Sequence, residues 1–162
     1  MSFPKLIVGS STDGIFDLSG LLAGEPVVAP ASQTDELDLI RRSGLFDATW
    51  YQQNYPDPAS AGIDPLGLYH DQGWRQGRRP NPYFDPGYYR EQNEDVRRAD
   101  SDPLAHYIRY GERERRRPIA HFDPAWYCAT YGLADGESCL RHFLERRHSG
   151  KVSPIAEFDS AW

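Results

Sequence analysis

An all-α fold, built as a stack of about three short helical-hairpin repeats, is predicted by three features of the sequence. A Phe-Asp pair followed by two aromatic residues recurs at nearly constant spacing, helix-start residues sit at fixed offsets inside each recurrence, and glycine and proline stand at matching positions between them. Phe46-Asp47-Ala48-Thr49-Trp50-Tyr51 returns 38 residues on as Phe84-Asp85-Pro86-Gly87-Tyr88-Tyr89, and after 38 more as Phe122-Asp123-Pro124-Ala125-Trp126-Tyr127. A fourth start, Phe158-Asp159-Ser160-Ala161-Trp162, follows 36 residues later.

Residues 1–34 are rich in Gly, Ser, Pro and Ala, lack a sustained period, and read as a flexible leader. Over 35–45, Leu37, Leu39 and Ile40 predict a capping helix that Gly44 ends. Repeat 1 then spans 46–83, repeat 2 84–121 and repeat 3 122–157, with a partial repeat over 158–162. In each repeat, Asp47, Asp85 or Asp123 is placed to cap a first helix, with Pro86 and Pro124 at first helical positions. The Phe before each cap is spaced to pack on the Tyr five residues later: Phe46 on Tyr51, Phe84 on Tyr89, Phe122 on Tyr127. A second helix starts at Asp64-Pro65-Leu66 and Asp102-Pro103-Leu104, with Gly73 and Gly111 read as left-handed stops. Phe158 and Trp162 are expected to fold back near Phe143 and Leu144 as a partial cap.

Composition bounds the function. Of 162 residues, 39% are hydrophobic and 13% aromatic, too aromatic for a disordered chain. No run of 18 apolar residues exists, so no membrane-spanning helix is expected. A net charge of -6 argues against nucleic acid as a partner.

The chemical candidates mostly reduce to structure. Asp100-Ser101-Asp102 has the form of a metal and nucleotide-sugar motif, but Asp102 matches the cap Asp64 and no phosphate-binding turn accompanies it. His106 and His142 share a position that holds Leu68 in repeat 1, which favours packing over catalysis. Cys128 and Cys139 occur only in repeat 3; they read as free thiols in preference to a disulfide, or to a zinc set with His142 and His148. No catalytic residue, metal ligand or cofactor is assigned. The candidate binding surface is the basic run Arg109, Arg113, Arg115, Arg116 and Arg117, together with Tyr55 and Tyr131 as exposed contacts. For the arginines the favoured reading is helix-end chemistry, cations near helix C-termini being stabilised by unpaired carbonyls and the dipole, and a basic stripe along one edge of the stack is the sharper reading.

The joint pattern Phe-Asp-x-x-Trp/Tyr-Tyr, Asp-Pro-Leu-x-His-Tyr and Gly…Arg-x-Pro over 35–162 resembles a repeat of bacterial multidomain glycosyltransferases of the rhamnan-synthesis and surface-polysaccharide group. Similar units occur in some large calcium-binding surface proteins. The resemblance implies a non-catalytic interaction or scaffolding module linked to surface-polysaccharide production or assembly; the alternative is an accessory, glycan-engaging domain of or beside a glycosyltransferase. The expected partners are another protein, a second copy of the chain, or an anionic polysaccharide. The expected location is the cytoplasm, extending to the periphery of the inner membrane.

Overall fold

The computed structural model describes residues 32–56 and 61–156. All but the last three residues of the expected leader lie outside these, as do Phe158 and Trp162 with the fold-back expected of them. The described residues are helical and contain no β-strand; a lone antiparallel bridge joins Asn81 and Phe84. None of the described helices is long and apolar enough to cross a membrane.

Helix α1 is Gln33–Ser43. It starts before the expected boundary because Ser32 and Asp35 cap it reciprocally: Asp35 N donates to Ser32 Oγ and Ser32 N to the Asp35 carboxylate. Gly44 closes it at φ 71°. The first aromatic segment then supplies α2 (Ala48–Asn54) and α3 (Pro65–Leu68), which runs on through a π turn over Tyr69–Gly73. The second supplies α4 (Pro86–Gln92), α5 (Glu94–Ala99) and α6 (Pro103–His106), with its own π turn over Tyr107–Gly111. The third supplies α7 (Pro124–Tyr131), α8 (Cys139–Arg146) and a 3₁₀ turn over Arg147–Ser149. Helix α5 is an addition to the two helices expected per segment, held by Val96, which is fully buried.

The cap aspartates act as the sequence predicts. Asp47, Asp85 and Asp123 accept from the backbone N–H groups of Trp50, Tyr88 and Trp126 at 2.9, 3.0 and 3.1 Å. Asp64 and Asp102 cap α3 and α6, and Ser138 does the same for α8.

Three aromatic trios form the core. Phe46, Tyr51 and Tyr69 meet in the first segment, Phe84, Tyr89 and Tyr107 in the second, and Phe122, Tyr127 and Phe143 in the third. All their centroid separations lie between 5.3 and 6.1 Å. Eight of these nine rings are buried and Phe46 is half-buried; full burial of a ring is worth about 1.5–3 kcal/mol, and the tilted and edge-on pairs add about 0.5–1.5 kcal/mol each. Trp50 and Trp126, the other rings of their pairs, stand edge-on to Tyr55, which follows the last residue of α2, and to Tyr131, the last residue of α7.

One backbone bond recurs at each junction. Asp47 N donates to Pro80 O, Asp85 N to Pro118 O and Asp123 N to Pro154 O, all at 3.0 Å. Each cap residue thus gives its side chain to its helix and its N–H to the proline that precedes the next motif.

Gly73 and Gly111 are needed for a different reason from the one expected. Neither has positive φ. Both sit inside π turns under a tyrosine: a Cβ on Gly73 would lie 2.6 Å from the Tyr51 hydroxyl, and one on Gly111 would collide with the Tyr89 hydroxyl. The left-handed position falls four residues later, at Gly77 (φ 73°) and Arg115 (φ 57°).

The segments are also tied beyond nearest neighbours. Helix α1 packs on α3, on α6 and on the second π turn. Its terminal Gly44 lies under the Arg141 side chain of α8. Fully buried Asn81 donates to Leu45 O at 2.7 Å and accepts from Tyr83 N at 2.8 Å, and Tyr83 reaches Phe143.

The cysteines correct the sequence reading. Cys128 and Cys139 are joined in a disulfide, with Cα atoms 5.8 Å apart. The caps of α7 and α8 set both residues in facing turns, a relation that their separation of 11 residues did not reveal.

Candidate functional site

The basic run is threaded through the fold. Arg109 reaches Glu36 on α1 at 2.7 Å. Arg116 binds Asp95 at 2.9 Å, Glu114 at 2.5 Å and the Asn93 side chain at 3.0 Å. This guanidinium holds the Asp95 carboxyl down to about 2. Arg117 grips Asp123 at 2.5 Å, as its counterpart Arg79 grips Asp85 at 2.6 Å. The matching Arg-Pro dipeptides therefore place a cation on the cap carboxylate of the following motif. Tyr55 and Tyr131 are half-buried, and their hydroxyls accept the backbone N–H groups of Arg79 and Ser153 at 3.0 and 2.8 Å. They serve the segment junctions.

The histidines divide in two. His106 Nδ1 lies 3.1 Å from the Tyr89 hydroxyl and His142 Nδ1 2.8 Å from that of Tyr127. Burial holds both rings below their ordinary value. His70, which the sequence reading did not single out, is different. Its Nδ1 lies 2.8 Å from Asp102 Oδ2 and its Nε2 3.7 Å from Glu36, both carboxylates being largely buried. The hydrogen bond to Asp102 raises its pKa against the opposing effect of burial, with Glu36 and Asp71 adding to the rise. Arg109 completes the chain through Glu36. Asp102 is thereby committed twice, with Oδ1 on the α6 cap and Oδ2 on His70. Asp100 faces Arg75 and Arg90. The signal for His70 was present in the alignment of the motifs, since Ile108 and Leu144 stand at its position.

A cavity of about 640 Å³ opens between the second and third segments. Glu112, Arg113, Arg115, Asp135 and Glu137 line it. Glu112 accepts a hydrogen bond from the Ser138 hydroxyl, and burial pushes its carboxyl up. Arg115 Nη1 donates to both Cys128 Sγ, at 2.9 Å, and Cys139 Sγ, at 2.8 Å, while Nη2 lies 3.6 Å from Asp135. Of the arginines in the run, Arg113 and Arg115 face this cavity; Arg109, Arg116 and Arg117 serve the joints between elements.

No protein-family model, curated protein or solved structure matches the chain. Among the described residues, no group of three or more His, Cys, Asp or Glu side chains is arranged to hold a metal ion.

Proposed function

We propose that the chain is a non-catalytic interaction module of three helical-hairpin repeats, acting in the production or assembly of bacterial surface polysaccharide. The observation that carries this reading is the recurrent junction, a cap-aspartate N–H on a proline carbonyl with an aromatic trio beside it, at Asp47, Asp85 and Asp123. That recurrence supports a repeat organisation. The polysaccharide context comes from the resemblance of the motifs. The groups that most invited a catalytic reading, Asp102, His106 and His142, each hold another element in place through a hydrogen bond.

The test has two parts. Purified chain with nucleotide sugars and Mg²⁺ or Mn²⁺ is expected to give no hydrolysis and no transfer; turnover lost in Asp102→Asn but kept in Asp64→Asn would overturn the reading. Sedimentation velocity beside a glycan array then separates the partners. Concentration-dependent self-association without glycan binding supports the module, whereas selective glycan binding by a monomer favours the accessory glycan-engaging domain.

A further inference from the structure

We propose that the cavity between the second and third segments is a binding site for an indole-type ring, flat and bearing an N–H donor, seated where the first junction places Trp74. The two junctions are built from the same positions. Ile108, Glu112 and Arg113 stand 38 residues after His70, Trp74 and Arg75, and Glu137 stands 36 after Ser101. Each set lines the cavity of its own junction. The first cavity measures about 210 Å³ and the second about 640 Å³.

Trp74 accounts for the difference. It is 3% exposed, and its Nε1 donates to His70 O at 2.9 Å. The Arg75 and Arg90 guanidiniums lie over its ring, 4.1 and 5.1 Å from the centroid. An aromatic ring under two cations is held through its π face as well as by burial. At the second junction Glu112 takes its position, and the carboxylate turns to the Ser138 hydroxyl. A glutamate side chain is smaller than an indole, which leaves the larger cavity.

The two guanidiniums are kept all the same. Arg113 stands at the Arg75 position. Helix α7 carries Cys128 where α4 carries Arg90, and Arg115 brings the second cation there, its Nη1 2.9 Å from Cys128 Sγ. It does so from φ 57°, a left-handed position that the first segment gives to Gly77. Two cations beside a cavity, without the ring that their counterparts cover, match a ligand that brings the ring. Glu112 offers a carboxylate to accept its N–H, the part that His70 O plays for Trp74. The site stands independently of the polysaccharide reading.

The test titrates the full chain with indole, followed by amide chemical shifts and isothermal calorimetry. Saturable binding is expected, with the shifts centred on Ile108, Arg115 and Gly136. Glu112→Trp, which installs the residue of the first segment, should fill the cavity and abolish binding, its melting temperature verifying that it is folded. Arg113→Gln alters an exposed side chain, so it tests the site whether or not Glu112→Trp folds, and should weaken binding about two- to tenfold. 1-Methylindole, which lacks the N–H, should bind about three- to tenfold more weakly than indole.

Two further probes tell the sources of the ring apart. Free tryptophan binding more tightly than N-acetyltryptophanamide identifies a free amino acid, its carboxylate on Arg113 or Arg115 and its ammonium on Asp135 or Glu137. The reverse order identifies a tryptophan side chain of another protein chain. Both orders support the site. No saturable indole binding, shifts centred elsewhere, undiminished affinity in Arg113→Gln or in folded Glu112→Trp, or equal affinity for 1-methylindole would overturn the proposal.

Discussion

The Tyr83 ring stands edge-on to Phe143, centroids 4.6 Å apart and planes at 81°. Phe143 is also the third member of the last aromatic trio, so one residue at the end of the first segment braces the core of the third. Tyr83→Ala is expected to destabilise the chain by about 1–3 kcal/mol, less than a fully buried aromatic because Tyr83 is half-buried. The loss should be regional. Hydrogen exchange should quicken at α8 amides more than at those of α2.

Asn81 should be among the least replaceable polar residues. Asn81→Ala leaves both Leu45 O and Tyr83 N without their partner in a buried site, an expected loss of about 2–4 kcal/mol by chemical denaturation. Asn81→Asp sets a carboxylate against the Leu45 carbonyl, which raises the new group's pKa. Its destabilisation should be larger at neutral pH and ease on acidification. A variant whose stability ignores pH would contradict this.

The close approach at Gly111 predicts a coupled pair. Gly111→Ala drives a methyl into the Tyr89 hydroxyl and should cost about 1–3 kcal/mol. Tyr89→Phe removes that oxygen, along with its contact to His106. The double variant should therefore lose less than the two single losses added together, measured by a thermodynamic cycle.

His70 gives a pH dependence with a definite sign. Its folded-state pKa is raised above 6.5, so its stabilisation is complete below that pH and is lost as pH rises through the elevated value. His106 and His142 have lowered values and act in the opposite sense, with stability present above 6.5 and lost as pH falls through their folded values. Relative to wild type, His70→Gln should flatten the fall in melting temperature from mildly acidic to mildly alkaline pH. His142→Gln should steepen it. Parallel curves for all three proteins would refute the assignment.

The parts of this fold legible in the sequence are those governed by short-range rules. A cap aspartate and the Phe five residues before its Tyr lie within two helical turns, so the motif Phe84-Asp85-Pro86 through Tyr89 fixes its own geometry. Gly73 and Gly111 were identifiable as special, yet their reason depends on a tyrosine 22 residues earlier that the π turn brings overhead. The His70–Asp102 contact, the Arg115 contact with the two sulfurs and the Tyr83–Phe143 contact join residues 13 to 60 positions apart. Their partners depend on how the segments dock, which a repeat period alone does not encode. The run from Arg109 to Arg117 illustrates the limit: charge density was visible, but the carboxylates that neutralise most of it lie on α1, α5 and the next cap.

The junction bonds have a consequence for how such a chain can diversify. They link residues 33, 33 and 31 positions apart, so the third segment is two residues shorter while its junction is unchanged. The difference is absorbed between the two helices of the hairpin. There the second segment builds α5, and the third carries a brief loop that ends beside the bridged cysteines. Insertion, deletion and new chemistry are thus channelled into one stretch of each segment, while the joints keep a common gauge. A family of such chains would vary at that stretch as antibodies vary at their loops, with the ends of each unit held constant.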